Sequence, residues 1–311
     1  MTAPIPHLPS ASLAPLGTGG LAAEITAQLS TQLRRVRLHG FRAPETPAPT
    51  LVAVAHGSRD PRALPTVRAL LDRVRALRPG LDVRLGHIEL NRPLLADTLD
   101  GLHGAAVLVP LLFGRGHHVT HDLPAALAAA PQLTGRVAAP LGPHPLLAEA
   151  LHGRLLAAGF PEAPCPRTAV VLAAAGSRAP RSAQDTERTA RLLSDRLGGV
   201  PVLAAYASAA RPSPAAAPAR DAARRPSEIA TVADAVRALT ARGHDRIAVA
   251  GCFTAPGRFA TLCAAAAPGP AAEPLGDHPA LARLVLHRYD QALLAPTGSD
   301  REARRAATVA V

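Results

Sequence analysis

The chain lacks lysine and tryptophan, and it has few aromatic residues and few cysteines. All 34 basic residues are arginine, seven residues are aromatic and three are cysteine. The absence of lysine excludes a Walker-type phosphate loop, and no GxGxxG follows a predicted strand. With few aromatic side chains to stack on bases, the net charge of +11 does not indicate a nucleic-acid partner. An acidic small molecule fits this charge better.

The few cysteines and the absence of a long apolar run indicate where the protein acts. Cys165, Cys252 and Cys263 form no CxxC pair and no even-numbered disulfide framework, which suggests a reducing compartment. No apolar run approaches the roughly 18 residues of a transmembrane helix, and prolines and polar residues interrupt the N-terminal region. We therefore expect a soluble, cytoplasmic protein.

The main feature present is an internal repeat. VAVAHGSRDPR at 52–62 returns as VLAAAGSRAPR at 171–181, and PLGPHP at 140–145 returns as PLGDHP at 274–279. Matching positions are 119 residues apart at the first motif, 141 apart around the third predicted strand and 134 apart at the last motif. A duplicated fold explains all of these matches.

Only the first copy keeps side chains that could bind a metal ion at three of the matched positions. The three pairs, first copy and then second, are His56 and Ala175, Glu89 and Ser208, and His118 and Phe259. The scaffold signals are therefore shared, whereas one set of polar side chains is lost. This asymmetry predicts a single active site in a two-domain protein.

The length of 311 residues and the 48% hydrophobic content suit two domains of ordinary size. We expect four segments: a disordered extension over 1–50 with a short helix near 21–35, a domain with the metal site over 51–160, a degenerate repeat over 168–294 that contains a flexible insertion near 209–227, and a loose tail over 295–311.

Apolar strands alternate with amphipathic helices in both copies. Strands are predicted at 51–55, 82–90, 105–113 and 136–141, and near 169–174, 200–206, 246–252 and 271–275. In the first copy, helices are predicted at 62–78, after Pro93, from about 122, and at 144–159. This alternation predicts an α/β protein of two tandem flavodoxin-like, three-layer domains, each a mainly parallel four-stranded sheet flanked by helices.

The candidate ligands lie where such a fold binds small molecules. Parallel sheets bind ligands beyond the carboxyl ends of their strands, and His56, Glu89 and the 114–122 loop lie at those ends. Two imidazoles and a carboxylate can form a facial set that holds a divalent ion with open positions. Taken singly, each residue also has an ordinary explanation: a structural histidine, an exposed carboxylate, or a solvated loop. Their joint loss from the second copy favours a shared role.

The combined motifs resemble one known family. HGSRDP, a strand ending in Glu89 before Pro93, PLLFGRGHHVTHDLP at 110–124 and LGPHP at 141–145 are similar to the CbiX/SirB family of class II tetrapyrrole chelatases, the sirohydrochlorin chelatases. The resemblance is strong over 51–155 and weak over 169–292. It implies that two-domain members hold their site between the domains.

The resemblance also implies an activity: insertion of Fe²⁺ or Co²⁺ into sirohydrochlorin, in sirohaem or cobalamin biosynthesis. His56 and His118 match the family's metal-binding and catalytic histidines, and Glu89 matches a ligand of some members. Histidines with pKa values near the working pH can also accept the pyrrole protons. The metal is a substrate, and no organic cofactor is implied.

Other polar residues receive roles that leave alternatives open. The substrate is an octacarboxylic acid, as the resemblance implies, and Ser58, Arg59 and Arg115 could bind its carboxylates; the arginines could equally be solvent-exposed. His117 or His121 could relay protons, or both could simply be exposed. The LGxHP histidines, His144 and His278, occur in both copies, which indicates a structural role as helix N-caps.

Two rival functions remain open at this point. One is a chelatase for another metal or tetrapyrrole, and the other is a non-catalytic metal-binding or metal-delivery protein that uses the same three ligands. We expect a monomer with no nucleic-acid or membrane partner, because the second copy would close the cleft that one-domain family members build by dimerising.

Overall fold

The computed structural model of the protein describes residues 48–177, 179–207 and 231–295. Several expectations concern residues outside these ranges: the helix near 21–35, the insertion near 209–227, Ser208, and almost all of the N-terminal extension and of the C-terminal tail. Within the described ranges, no helix is long and apolar enough to cross a membrane.

The described part of the first copy alternates strands with helices. Its elements are β1 (Thr50–Ala55), α1 (Ala63–Leu77), β2 (Val83–His87), α2 (Leu95–Asp100), β3 (Gly104–Pro110), a π-helical turn (His118–Asp122), α3 (Leu123–Ala128), β4 (Leu133–Val137) and α4 (Pro145–Ala157). The second copy runs through β5 (Thr168–Ala174), α5 (Pro180–Arg196), β6 (Val202–Tyr206), α6 (Val232–Thr240), β7 (Arg246–Gly251), α7 (Arg258–Ala265) and α8 (Pro279–Leu294).

The strands form two parallel sheets, as the α/β prediction requires. The first has the order β2-β1-β3-β4 and the second the order β6-β5-β7, and every strand pair is parallel. The central strands β1 and β5 are buried along nearly their whole length, because helices cover both faces of each sheet. Their continuous apolar sequences follow from this double cover.

The predicted fourth strands differ from the structure in both copies. β4 begins earlier than the predicted 136–141, and in the second copy the predicted strand at 271–275 is reduced to a bridge between Val249 and Ala271. Pro140 and Pro274 explain where these ladders stop. Ala138 and Ala272 donate the last backbone hydrogen bonds to the neighbouring strand, and a proline two residues later has no N–H to donate.

The hydrophobic core crosses the boundary between the two copies. Its largest cluster contains Leu70 and Leu151 from the first copy and Leu172 and Leu284 from the second. α8 of the second copy packs against α1, α4 and β3 of the first, and α4 packs against α5 and β7. The described residues from Ala48 onward accordingly form one compact unit, while the division near 160–168 stays a prediction from the repeat.

Ion pairs join the same helices across this boundary. Arg78 donates to both carboxylate oxygens of Asp290 at 2.6 and 2.7 Å, and Arg73 donates to Asp277 at 2.9 Å. The exposed fractions of these side chains lie near 40%, so each pair adds no more than about 1 kcal/mol to stability. The buried leucines therefore carry most of the attachment.

The two LGxHP histidines are helix caps, as predicted from their presence in both copies. His144 Nδ1 accepts a hydrogen bond from the backbone N–H of Leu146 at 3.1 Å, and His278 Nδ1 accepts one from Ala280 at 3.2 Å. Each histidine precedes the proline that starts the helix. Its ring nitrogen accepts a hydrogen bond from a backbone N–H group that would otherwise lack a partner within the helix.

This cap makes stability depend on pH. Burial, with Arg288 and His287 nearby, lowers the pKa of His144 from 6.5 to about 4. Between these values the unfolded chain binds a proton that the folded chain does not, so stability should fall as the pH drops from 6.5 toward 4, by at most ~1.4 kcal/mol per pH unit for this group. Urea unfolding at several pH values measures the slope.

The matched variant is His144→Asn, because asparagine caps a helix without titrating in this range. Its unfolding free energy should decline less steeply below pH 6.5 than that of the unaltered protein. Equal slopes for the two proteins would show that His144 does not contribute to the pH dependence.

Candidate functional site

The three predicted metal ligands lie together at the carboxyl ends of adjacent strands. His56 follows β1, Glu89 lies two residues beyond β2, and His118 begins the π-helical turn after β3. The rings of His56 and His118 meet edge to face with centroids 5.0 Å apart. Glu89 Oε1 lies 3.6 Å from His56 Nδ1. The structure therefore brings all three side chains into one cluster.

The backbone holds Glu89 next to His56. The N–H of Glu89 donates to the His56 carbonyl at 3.0 Å, and Gly57 follows with φ at +104°, a region that favours glycine. A Cβ atom at Gly57 would lie 1.9 Å from the Glu89 carbonyl oxygen. The glycine of the HGS motif is therefore required for the close approach of these two strand ends.

Asp122 orients the third ligand. Its Oδ2 lies 2.6 Å from His118 Nδ1, so Nδ1 is occupied as the hydrogen-bond donor and Nε2 is the nitrogen left for a metal ion. A carboxylate behind a ligating imidazole fixes its tautomer and its orientation. The predicted motif contained Asp122, but its sequence position alone did not assign it this role.

The two neighbouring histidines lie further out. His117 and His121 stack with ring centroids 4.6 Å apart. His117 Nε2 lies 3.4 Å from Asp122 Oδ1, and His121 Nδ1 lies 2.8 Å from the hydroxyl of Thr120. His117 thus has a contact with the carboxylate that orients His118. A proton-relay role for either histidine stays a prediction.

The cluster is open rather than a closed metal cage. Among the described residues, no group of three or more His, Cys, Asp or Glu side chains is already arranged to hold a metal ion. The side chains of His56, Glu89 and His118 are 43%, 53% and 37% exposed. Two imidazoles and a carboxylate with this exposure leave coordination positions for a second molecule.

The cluster opens into a cavity of about 780 Å³ between the two copies. The first copy contributes His56, Glu89, Leu90, Asn91, Phe113 and His118, and the second contributes Ala175, Tyr206, Cys252, Phe253, Arg258 and Phe259. This volume lies within the range of small-molecule sites, about 300–1,000 Å³. The motifs contained His56, Glu89, Phe113 and His118, and the repeat matched Ala175 and Phe259 to two of these positions, but neither assigned a role to the other lining residues.

Backbone hydrogen bonds confirm the matching of positions between the copies. Thr120 N donates to Gly116 O, and Thr261 N donates to Gly257 O; both bonds span the loop that holds the third ligand position, 141 residues apart. The corresponding bonds after the first two strands, Ile88 N to Ala55 O and Ala207 N to Ala174 O, lie 119 residues apart. Phe259 therefore occupies the place of His118.

Two of the predicted substrate-binding residues already have partners within the protein. Arg115 donates to both carboxylate oxygens of Asp185, which is fully buried, at 2.6 and 2.9 Å, and this pairing raises the pKa of the guanidinium. The Ser58 hydroxyl donates to the Pro256 carbonyl at 3.1 Å and accepts from Asp60 N. The Arg115 contact attaches the loop after β3 to the second copy. The Ser58 contacts attach the loop after β1 to the second copy and also stabilise that loop internally.

Arg59 differs from Arg115 in its surroundings. Its side chain is exposed, it lines the cavity, and within the described residues it makes no hydrogen bond or ion pair. Arg59 is therefore the better placed of the two arginines to bind a carboxylate of another molecule.

Comparison with known proteins gives the same family as the motifs. The sequence model of the CbiX family matches residues 50–158. A curated sirohydrochlorin cobaltochelatase of Methanosarcina barkeri is 29% identical over 82 residues, which are 25% of this chain and 63% of that protein. The chain thus spans somewhat less than two thirds of this relative's length.

Solved chelatase structures share the fold. The sirohydrochlorin chelatase SirB from Bacillus subtilis subspecies spizizenii, in complex with cobalt, has a TM-score of 0.57 and 18% identity, with 78% of this chain and 94% of that chain covered. CbiX, described as the terminal enzyme of sirohaem biosynthesis in denitrifying bacteria, has a TM-score of 0.55 and 22% identity, with 78% and 99% covered. At these identities the likeness shows the two-sheet α/β architecture.

Proposed function

We propose that this protein inserts a divalent metal ion, Co²⁺ or Fe²⁺, into sirohydrochlorin, since the sequence model of the CbiX family matches residues 50–158. One observation carries the proposal: His56, Glu89 and His118 converge on a cavity of about 780 Å³ while leaving coordination positions open. The named relatives are sirohydrochlorin chelatases, which supports this choice of macrocycle.

The residues of the cluster suit the steps of metal insertion. Insertion requires the ion to shed water and to exchange its first ligands for four macrocycle nitrogens, while two pyrrole N–H protons leave. Neutral imidazoles of His56 and His118 bind late first-row ions without enclosing them. The Glu89 carboxylate supplies an oxygen ligand and partly neutralises the ion's charge.

The same histidines can take up the departing protons. As the ion moves from imidazole to pyrrole nitrogen, each released imidazole becomes a base close to the macrocycle. Asp122 holds the His118 ring in place through its contact with Nδ1. The metal ion is consumed as a substrate in this scheme.

The carboxylates of the macrocycle need cationic partners at the cavity mouth. Arg59 is exposed there and makes no ion pair within the described ranges, and the net charge of +11 attracts a polyanion from solution. Both walls of the cleft come from one chain, so the site needs no second copy. We propose that the enzyme acts in the cytoplasm as a monomer.

The direct test mixes the purified protein with sirohydrochlorin and Co²⁺ or Fe²⁺ and follows the absorption spectrum. We expect the macrocycle bands to shift to those of the metallated form faster than in a mixture without protein. Metal binding with no change in the rate of metallation would instead identify a metal-delivery protein. Faster metallation of a different tetrapyrrole, with none of sirohydrochlorin, would overturn the choice of substrate.

A further inference from the structure

The second copy presents an apolar and aromatic surface to the site. Four of the seven aromatic residues of the chain line the cavity, and Tyr206, Phe253 and Phe259 come from the second copy. A chain with so few aromatic residues has placed more than half of them around one cleft. Tyr206 is buried and Phe253 is only partly exposed, so Phe259 is the ring of the second copy that offers a flat partner stacking area.

Phe259 is the most exposed of these rings. Its side chain is 39% exposed although it is a large apolar group at the start of α7. It occupies the place of His118, so the matched position that holds a ligand in the first copy holds a phenyl ring in the second. An aromatic ring exposed inside a cleft is available to pack against a bound molecule.

Leu90 supplies an apolar group on the first copy's side of the same cavity. It is 52% exposed, and it is the one non-glycine residue with positive φ, +66°, in the described part of the chain. A leucine in this backbone region is strained. The strained turn places an apolar side chain next to Glu89, where it also lines the cavity.

Arg258 lies beside Phe259 and takes the place of His117. It is exposed, it lines the cavity, and its guanidinium forms no hydrogen bond or ion pair with any described residue. With Arg59 on the first copy, each wall carries an arginine that has no ion-pair partner among the described residues. A planar polycarboxylate fits this arrangement, because its ring meets apolar groups and its edge meets guanidinium groups.

We infer that the second copy is the half that binds and orients the macrocycle: Phe259 packs against the ring face and Arg258 binds a peripheral carboxylate. The first copy then delivers the metal ion to the opposite ring face. The second copy lacks equivalents of His56 and His118 because the two copies have different roles. The first binds the metal ion and the second binds the ring. This inference rests on the proposed chelatase function.

The test measures sirohydrochlorin binding without metal, by absorption or fluorescence titration. Phe259→Ala should raise the dissociation constant about tenfold, the usual size of a lost stacking contact, and Arg258→Ala should raise it by a similar factor at low salt. Phe259→Leu should recover part of the loss. Co²⁺ affinity, measured separately, should not change, because neither residue belongs to the ligand cluster.

Two control variants change residues that do not line the cavity: one lies on the same helix as Phe259, and the other carries the same charge as Arg258. Leu262→Ala removes an exposed apolar group from α7 that does not line the cavity, and Arg242→Ala removes an exposed arginine elsewhere in the second copy. Both should bind the macrocycle as the unaltered protein does. In turnover, Phe259→Ala should raise KM more than it lowers kcat.

The outcomes separate this inference from the proposed function. If the unaltered protein does not bind or metallate sirohydrochlorin, the proposed function is wrong and the inference falls with it. If the unaltered protein does both while Phe259→Ala and Arg258→Ala bind the macrocycle equally well, the second copy does not hold the ring. The chelatase function would then stand without this inference.

Discussion

His56→Ala and His118→Ala should each lower the rate of metal insertion by at least about 100-fold, within the range expected for the loss of an acid–base group alone. Each variant removes one of two imidazoles whose rings lie 5.0 Å apart, so a single imidazole and a carboxylate remain to bind the ion. The rate of sirohydrochlorin metallation and the affinity for Co²⁺ should both fall. Sirohydrochlorin binding without metal should remain.

His103→Ala is the control for these variants. His103 is exposed and precedes β3, at the opposite end of the sheet from the site, so its loss should leave the rate unchanged. The folds of the two ligand variants should also survive, because both side chains are more than a third exposed. Near-normal turnover by either ligand variant would show that the cluster is not the site of insertion.

Arg115→Ala should destabilise the protein by about 3–5 kcal/mol, because it leaves the carboxylate of Asp185 buried without its cation. Asp185 is fully buried and accepts hydrogen bonds from both the guanidinium and the backbone N–H of Arg115. Arg115 lies three residues before His118, so the loop that carries this ligand loses its anchor on α5. Both the free energy of unfolding, measured with a chemical denaturant, and the rate of metal insertion should be lower than in the unaltered protein.

Two comparisons test the physical reason for this effect. Arg84→Ala breaks an ion pair with Asp82 in which both side chains are largely solvated, and it should cost no more than about 1 kcal/mol. Adding Asp185→Asn to Arg115→Ala should recover part of the stability, since no charge then stays buried without a partner. If Arg115→Ala costs no more than Arg84→Ala, the Arg115–Asp185 pair does not anchor the loop.

Elements with a strong local pattern could be predicted closely. β1 and α1 lie within one residue of their predicted bounds, because a continuous apolar run and a helical spacing from Val67 to Val74 are each distinctive. β2 was predicted to reach residue 90 but ends at His87. Beyond His87 the chain turns, with Glu89 N donating to His56 O and His87 N donating to Pro93 O, and contacts formed by such a turn leave no trace in hydrophobic periodicity.

Motif spacing predicted the metal ligands of the site, but not the contacts that these motifs make with the second copy. His56, Glu89 and His118 could be placed together because parallel strands end at one edge of a sheet. The partner of Arg115 could not be found in this way, since Asp185 lies 70 residues further along the chain in a helix of the other copy. Phe259 and Arg258 were visible only as residues that break the motif.

The core cluster shared by both copies determines how the cleft can behave. Leu284 and Leu286 of α8 belong to the same buried cluster as Leu70 and Val109 of the first copy, so opening the cleft widely would expose leucine side chains to water. The two walls cannot swing about a linker as independent bodies joined by a small polar interface would. Their separation is set by the same apolar contacts that hold the fold together, and the width available to a macrocycle is therefore fixed when the chain folds.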